Sequence, residues 1–320
     1  MHSLQIPMAP EASMAEAQSR WWLLLRRAAV VLRQWPWRRM SRNGGFMFGL
    51  VVLLSIAAIA ALAPWIAPHD PLVQDIANRR VPPIWYQWFS EDSNASWAHV
   101  LGTDKLGRDY LSRLMHGARI SLSIGFSAAL ISGIIGTVLG VCAGYFGGRV
   151  DALVSFIVTT RLALPVVLVA LAIVALHGSS LPVLILVLGL LLWDRFAVVM
   201  RSVTRQVASL EYVTAARAIG CSTLRIILTE ILPNVMNAFI VIVTIEMANA
   251  ILFEAALSFL GLGVQPPSPS WGLMLAEAKE DIFFSPWMIT IPGTALFVLV
   301  LAINLFGDGI RDLTAPKGRS

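Results

Sequence analysis

The sequence has few charged residues. Asp, Glu, Lys and Arg make up 13% of its 320 residues, against about 25% in soluble globular proteins. Hydrophobic residues make up 57% and the mean hydropathy is +0.73, which excludes an ordinary soluble domain. Several apolar runs are long enough to cross a hydrocarbon layer of about 30 Å as helices. They lack the polar and apolar alternation of barrel strands, so the sequence predicts an all-α membrane protein.

Cysteines and catalytic patterns are also scarce. Cys142 and Cys221 form no recognisable disulfide or metal-binding pattern. Neither His-Glu-x-x-His nor Gly-x-Ser-x-Gly occurs. The histidines are scattered along the chain: His2, His69, His99, His116 and His177. The sequence therefore predicts no metal site and no enzyme activity.

One segment imitates a phosphate-binding loop. Gly102 and Gly107 have the spacing of P-loop glycines, but Arg108 replaces the loop's Lys and Asp109 replaces its Ser or Thr. A carboxylate at the position that holds magnesium would repel the phosphates. We therefore expect this chain to bind no cofactor, and any ATP and Mg²⁺ to be bound by a partner.

Positive charge is concentrated beside the apolar runs. The formal net charge is +5, and the arginines before the first run are Arg20, Arg26, Arg27, Arg33, Arg38, Arg39 and Arg42. The positive-inside rule explains this distribution better than nucleic-acid binding does. We expect residues 1–45 to form a cytoplasmic segment, which is either a helix lying on the lipid surface or a disordered tail.

The apolar runs predict six transmembrane helices with both termini in the cytoplasm. They cover about 46–63, 120–145, 153–176, 182–200, 234–259 and 287–306. Residues 46–119 then comprise the first span and a large outer loop, and residues 120–310 form the core domain. That domain includes a cytoplasmic polar stretch at about 201–232, and residues 311–320 form a cytoplasmic tail. Gly136, Gly140 and Gly144 predict a smooth helix face for close internal packing.

Four ionisable residues lie in or beside the predicted spans: Arg161, Asp194, Glu246 and Glu254. A charge at the bilayer centre costs at least about 2.5 kcal/mol, so such residues face the bundle interior or a water-filled path. Arg161, Glu246 and Glu254 are therefore candidates for a polar translocation pathway. The alternative is that each is paired inside the bundle, and Arg195 and the interface can satisfy Asp194.

The stretch 211–233 is polar but lies between two strongly apolar runs. As a helix it places Tyr212, Ala215, Ala216 and Ile219 on one face, with Glu211, Thr214 and Arg217 turned away. Gly220 permits the left-handed residue that commonly ends a helix, and Pro233 marks entry into the next span. The pattern predicts a helix, a turn and a second helix parallel to the membrane, which either dock on a partner or lie on lipid.

Three motifs carry a family resemblance. Tyr212-Val-Thr-Ala-Ala-Arg-Ala-Ile-Gly220, followed by Ile231-Leu232-Pro233, resembles the EAA signature of permease subunits of binding-protein-dependent ABC importers. Leu101-Gly-Thr-Asp-Lys-Leu-Gly-Arg-Asp109 and Glu254-Ala-Ala-Leu-Ser-Phe-Leu-Gly-Leu-Gly263 look like the C-type subunit of the dipeptide, oligopeptide and nickel family. The resemblance covers about residues 44–315. It departs from the signature at Thr214, where a Glu is usual, and at Glu230, where an Ile is usual.

The resemblance implies the type I importer permease fold, with a coupling helix that contacts a cytoplasmic ATPase. The coupling role falls on Glu211, Tyr212, Thr214, Ala215, Ala216, Arg217 and Gly220. The outer region that contacts a solute-binding protein would include Asp104, Arg108, Asp109 and Trp271. Further implied partners are a second homologous permease, one or two ATPase subunits that bind ATP and Mg²⁺, and the lipid of a bacterial inner membrane.

The implied substrate is a peptide or a related small solute. The alternative function is an ion-coupled secondary transporter, which would need paired broken helices and an internal inverted repeat. No such repeat is detectable in the sequence. The sequence does not indicate which solute is carried, because the binding protein makes most of that choice.

Overall fold

The computed structural model describes residues 43–89 and 94–314. Within these ranges the chain is mostly helical, and its β-structure is an isolated bridge between Thr103 and Asp109, which confirms the all-α prediction. Most of the predicted cytoplasmic segment 1–45 and most of the tail 311–320 lie outside the described residues.

The α-helices follow one another with short connections, apart from two longer loops, 67–109 and 260–270, which we call the outer loops because the sequence predicts them on the outer side. They are α1 (Gly44–Ile66), α2 (Tyr110–Phe146), α3 (Gly148–Leu162), α4 (Val166–His177), α5 (Leu181–Leu191), α6 (Trp193–Ala208), α7 (Glu211–Ala218), α8 (Thr223–Ile226), α9 (Leu232–Phe259), α10 (Trp271–Ala278) and α11 (Trp287–Thr314). Short 3₁₀ turns cover Ile76–Asn78, Ile84–Trp88 and Lys279–Asp281.

Five helices in the described ranges are long and apolar enough to span a membrane. They are Gly44–Ile66, Tyr110–Phe146, Leu181–Ala208, Thr223–Phe259 and Trp287–Asp312. A sixth candidate is the pair α3 and α4, which is bent by 81°. A single straight helix over 153–176 is therefore wrong. The chain breaks before Pro165, which lacks an N–H and disfavours a helical conformation at Leu164.

Two helix boundaries differ from the sequence prediction. Helix α2 begins at Tyr110 rather than near 120, because the carboxylate of Asp109 accepts a hydrogen bond from the backbone N–H of Ser112 at 2.8 Å and caps the helix. Pro233 does not separate two helices. A π turn, Ile227–Ile231, joins α8 to α9, so the helix is continuous from Thr223 to Phe259.

The glycine strip of α2 packs directly on the backbone of α6. A Cβ added at Gly136 would lie 2.3 Å from the carbonyl oxygen of Trp193. At Gly140 and Gly144 it would lie 2.6 Å from the carbonyl oxygens of Ala197 and Arg201. The prediction of close internal packing is therefore confirmed.

Gly136→Ala is expected to destabilise the bundle by about 1–3 kcal/mol, the usual cost of overpacking. A loss of stability would be informative, because Gly→Ala normally stabilises a helix interior. Gly293→Ala in α11 is the control, since its Cβ would meet only Leu275 Cδ2 at 3.7 Å. Thermal unfolding in detergent measures both, and a Gly136→Ala variant as stable as the control would contradict this packing.

Ion pairs hold the polar connections at one end of the bundle together. Asp151, in the first turn of α3, accepts hydrogen bonds from Nη2 of Arg201 at 2.9 Å and from Nη2 of Arg205 at 2.6 Å. The short turn 147–151 and the start of the stretch 201–232 thus lie at the same end, as an alternation of spans requires. That this end faces the cytoplasm stays a prediction.

Candidate functional site

Helix α7 lies at the polar end of the bundle and packs on it mainly through Val213. Val213 is fully buried. It belongs to a buried cluster with Val141 of α2, Met200 of α6 and Val235 of α9. Most other residues of α7 are exposed, among them Glu211, Tyr212, Thr214, Ala215 and Arg217. In this chain, one face of α7 is therefore packed on the bundle and the opposite face is exposed.

Contacts at both ends of α7 limit its movement relative to the bundle. The hydroxyl of Tyr212 accepts a hydrogen bond from Asn234 Nδ2 at 3.1 Å, and the guanidinium of Arg217 lies 5.1 Å from the centroid of the Tyr145 ring. Gly220 has φ +84, the left-handed conformation that the sequence predicted there, and the N–H of Cys221 closes the turn on the carbonyl of Ala216 at 3.1 Å.

The exposed face of α7 differs from the predicted one at a single position. Ala216 is half-buried against the Val213 cluster, because residues three apart share a helix face. Tyr212 and Ile219 are 43% and 81% exposed, and Ala215 is exposed between them. The surface available for docking is therefore formed by Tyr212, Ala215 and Ile219, without Ala216.

Thr214 stands where the EAA signature has Glu. Its hydroxyl donates a hydrogen bond to the carbonyl of Glu211 at 2.8 Å, and the residue is exposed. Thr214 is therefore satisfied within its own helix. The position supplies no carboxylate to a partner, but it leaves the small exposed face intact.

Four charged residues, three of them buried, join the outer loops, and we call them the outer ion cluster: Asp104, Arg108, Arg113 and Glu277. Arg108 Nε donates to Asp104 Oδ2 at 2.6 Å and Nη2 donates to Glu277 Oε1 at 3.1 Å. Arg113 pairs with the same two carboxylates. Burial lowers the pKa of Arg108, but attraction to Glu277 and Asp104 outweighs it, so the pKa is raised overall.

The four residues predicted to contact a binding protein are not on the surface. Asp104, Arg108, Asp109 and Trp271 are 1%, 3%, 3% and 3% exposed. Trp271 is the first residue of α10 and packs on α2, where its Nε1 donates to the carbonyl of Leu114 at 2.8 Å. Charge pairing and packing between the outer loops bury these four side chains. That this region receives a binding protein stays a prediction.

The candidate pathway residues all have partners inside the chain. Arg161 Nη1 lies 3.3 Å from Asp194 Oδ2, and Arg195 Nη1 lies 3.3 Å from Glu246 Oε1. Arg161, in the last turn of α3, also faces the negative end of that helix where the span breaks. Arg161 and Glu246 are thus each paired within the chain, and a role in a pathway stays a prediction.

Glu254 joins α9 to the start of α10. Its Oε1 accepts hydrogen bonds from Ser258 at 2.7 Å and from Ser270 at 2.9 Å. Ser270 is the N-cap of α10, and its Oγ accepts from the N–H of Leu273 at 3.0 Å. A Cβ at Gly272 would lie 2.9 Å from both carboxylate oxygens of Glu254. Glu254 therefore has a positioning role for the second outer loop.

Glu254→Ala is expected to destabilise the protein by about 1–3 kcal/mol, because two buried hydroxyls lose their acceptor. Glu254→Gln keeps an acceptor oxygen and should lose clearly less stability than Glu254→Ala. The free energy of unfolding in detergent compares the two variants. Equal losses would show that the charge of Glu254, and not its hydrogen bonds, is what matters.

The structure also brings together three residues that the sequence left apart. His69, His99 and Asp109 each offer a ligand atom, and these atoms lie within 4.8 Å of one another. Their spacing along the chain follows no metal-binding pattern, so the sequence alone does not indicate that these three residues meet.

Comparison with protein families identifies two segments. Residues 136–320 match the model for the binding-protein-dependent transport system inner membrane component. Residues 33–83 match the N-terminal TM domain of oligopeptide transport permease C. The first match covers more than half of the chain.

Full-length relatives are similar over most of the chain. The di/tripeptide transport system permease protein DppC of Pseudomonas aeruginosa (strain UCBPP-PA14) is 43% identical, over 88% of this chain and 91% of that protein. The dipeptide transport system permease protein DppC of Haemophilus influenzae is 38% identical, over 88% and 93%. The glutathione transport system permease protein GsiD of Pectobacterium atrosepticum is 37% identical, over 89% and 91%.

A solved structure shares the fold. An inward-facing structure of the MetNI methionine ABC transporter superposes with a TM-score of 0.51 at 17% identity, covering 63% of this chain and 97% of that chain. The helical architecture, the family models and the relatives all indicate an ABC importer permease, and they do not favour the alternative of a secondary transporter. The chain therefore belongs to the family of binding-protein-dependent transport system inner membrane components, and is a multi-pass permease subunit of an ABC importer rather than an enzyme.

Proposed function

We propose that this permease imports small peptides or a related solute across a bacterial inner membrane, with both termini in the cytoplasm. The substrate class is supported by the relatives, which are named for di- and tripeptides, dipeptides and glutathione. The working complex contains a second, homologous permease, one or two ATPase subunits and a solute-binding protein. ATP and Mg²⁺ are bound by the ATPase subunits, and this chain binds no cofactor for ATP hydrolysis.

The observation that carries the coupling proposal is the geometry of α7. Its exposed residues, Tyr212, Ala215 and Ile219, form the face that docks in an ATPase cleft, with Glu211, Thr214 and Arg217 beside it. Val213 and Ala216 hold the helix on the bundle from the other side. A helix fixed in this way transmits a rigid-body movement, whereas a mobile loop would absorb it. Closure of the ATPase pair would then switch the bundle between two states.

At the outer end, exposed aromatic side chains replace the buried residues as candidates for binding-protein contact. Trp88, Phe89 and Trp97 are 83%, 82% and 76% exposed. Aromatic residues are enriched at protein interfaces. The outer ion cluster would hold the loops that present them.

The translocation pathway is proposed to lie between the two permeases, with Arg161, Glu246 and Glu254 of this chain near it. Arg195, the partner of Glu246, is 60% exposed in this single chain. An exposed guanidinium next to a buried carboxylate supports a polar surface on the side that faces the second permease. A charge on the lipid side would be costly.

Purification of the tagged protein from its native membrane, followed by reconstitution with its co-purifying subunits, tests the function. We expect ATPase subunits and a second permease to accompany it, and uptake of a labelled dipeptide to require both ATP and the binding protein. The competing function needs paired broken helices, and the described residues contain one bent pair. Uptake driven by an ion gradient without ATP would refute the proposal.

A further inference from the structure

Three segments of the outer region converge on the carboxylate of Asp109. His69 follows α1, His99 lies in the loop before Gly102, and Asp109 caps α2. His99 Nδ1 lies 2.9 Å and His69 Nδ1 lies 3.6 Å from Asp109 Oδ1. The two imidazole rings are 4.8 Å apart between centroids. Two imidazoles and one carboxylate are a ligand set that Zn²⁺ takes in proteins.

The carboxylate is fixed by its second oxygen. Asp109 Oδ2 accepts hydrogen bonds from the N–H and the hydroxyl of Ser112 at 2.8 and 2.7 Å. The same hydroxyl oxygen accepts from the backbone N–H of His69 at 3.1 Å. Ser112 therefore ties two of the three ligand residues together and leaves Oδ1 directed at the histidines. Outer contacts of this kind orient the ligands of metal sites.

The charge balance of the region also favours a cation. The outer ion cluster pairs two arginines with two carboxylates, so its charges cancel. In the described part of the chain, Asp109 is 2% exposed at its side chain and pairs only with His69 and His99. A buried carboxylate needs a positive partner. A bound metal ion can supply it.

We propose that His69, His99 and Asp109 bind a divalent transition-metal cation of the Zn²⁺ class, distinct from the coupling surface. The edges of a Zn²⁺ tetrahedron with ligands at 2.0–2.1 Å are about 3.3 Å long. The two nitrogen to oxygen distances, 2.9 and 3.6 Å, lie on either side of that length. The side chain of His69 is 43% exposed, so it can move to complete the site, and solvent can supply the fourth ligand.

Such an ion would cross-link the end of α1, the outer loop and the start of α2. Its effect would therefore be on the stability of the outer region. A metal ion that binds only the folded state stabilises it by RT ln(1 + [L]/Kd), so the melting temperature rises with the free metal concentration. Binding and thermal stability can thus be measured without any transport assay.

The test uses full-length protein purified in detergent with a tag that contains no histidine. The protein is stripped with EDTA, dialysed against Zn²⁺ and desalted, and its zinc content is measured by mass spectrometry. We expect about one Zn²⁺ per chain and a higher Tm with Zn²⁺. Bound Co²⁺ should show the visible absorption of a tetrahedral site.

Variants separate the site from background binding. The double variant His69→Ala/His99→Ala should lose the bound ion, and Ser112→Ala should weaken Zn²⁺ affinity about 10–100-fold by releasing the carboxylate. His177→Ala is the control, because His177 is exposed and its Nδ1 contacts only the carbonyl of Ile173. Wild-type protein that holds no more Zn²⁺ than the double variant, or whose Tm does not change with Zn²⁺, would overturn the proposal.

Discussion

Ala215→Arg is expected to abolish ATP-driven uptake while the protein remains inserted and folded. Ala215 lies on the exposed face of α7 between Tyr212 and Ile219, so the change leaves the Val213 anchor untouched. A long charged side chain there would keep α7 out of an ATPase cleft. Uptake of a labelled peptide into proteoliposomes should fall to background. ATP hydrolysis should no longer respond to the binding protein.

Two further variants show whether the loss comes from docking. Ala215→Ser keeps the position small and should transport normally. Ala216→Arg should instead lower thermal stability, because Ala216 packs against the buried cluster of α7. An Ala215→Arg protein that co-purifies with its ATPase and transports at the wild-type rate would show that the coupling surface lies elsewhere.

Asp104→Ala is expected to destabilise the outer region by about 3–5 kcal/mol, the cost of removing one partner from a buried ion pair. The change leaves Arg108 and Arg113 with a single shared carboxylate, Glu277. It also removes the acceptor for the N–H groups of Leu106 and Arg108, at 2.8 and 3.0 Å. Thermal unfolding and protease resistance of the outer loops measure the loss.

Glu280→Gln is the matched control for that loss. Glu280 is 71% exposed and lies 3.9 Å from Lys105, and exposed pairs of this kind contribute about 1 kcal/mol or less. The two carboxylates belong to the same outer region but differ in burial. Similar losses for both variants would mean that the outer ion cluster does not stabilise the fold.

The features that could be predicted from the sequence are local. The number of apolar runs, the close-packing face at Gly136 and the left-handed turn at Gly220 each depend on residues near one another in the chain. Pro165 can also be read from the sequence, but whether it bends a long apolar helix depends on how the segments before and after it pack. A hydropathy pattern therefore predicts one span where the structure has two helices at an angle.

The features that could not be predicted depend on distances across the fold. Arg108 and Glu277 are far apart in sequence, and only the packing of the outer loops makes them partners. The same holds for His69 and Asp109. The burial of Ala216 could not be predicted for a different reason. It depends on which face of α7 packs on the bundle, and the sequence of a mostly polar helix gives little indication of that face.

The continuous helix from Thr223 to Phe259 connects the end of the bundle that carries α7 to the opposite end. Its 37 residues span about 55 Å at 1.5 Å per residue. A tilt of about 5° at the end next to α7 would move the opposite end by about 5 Å over such a length. Glu254 lies near that opposite end and is hydrogen-bonded to the cap of α10. A small rotation of this helix at the end next to α7 would therefore displace the outer loop by more than the distance of a typical side-chain contact.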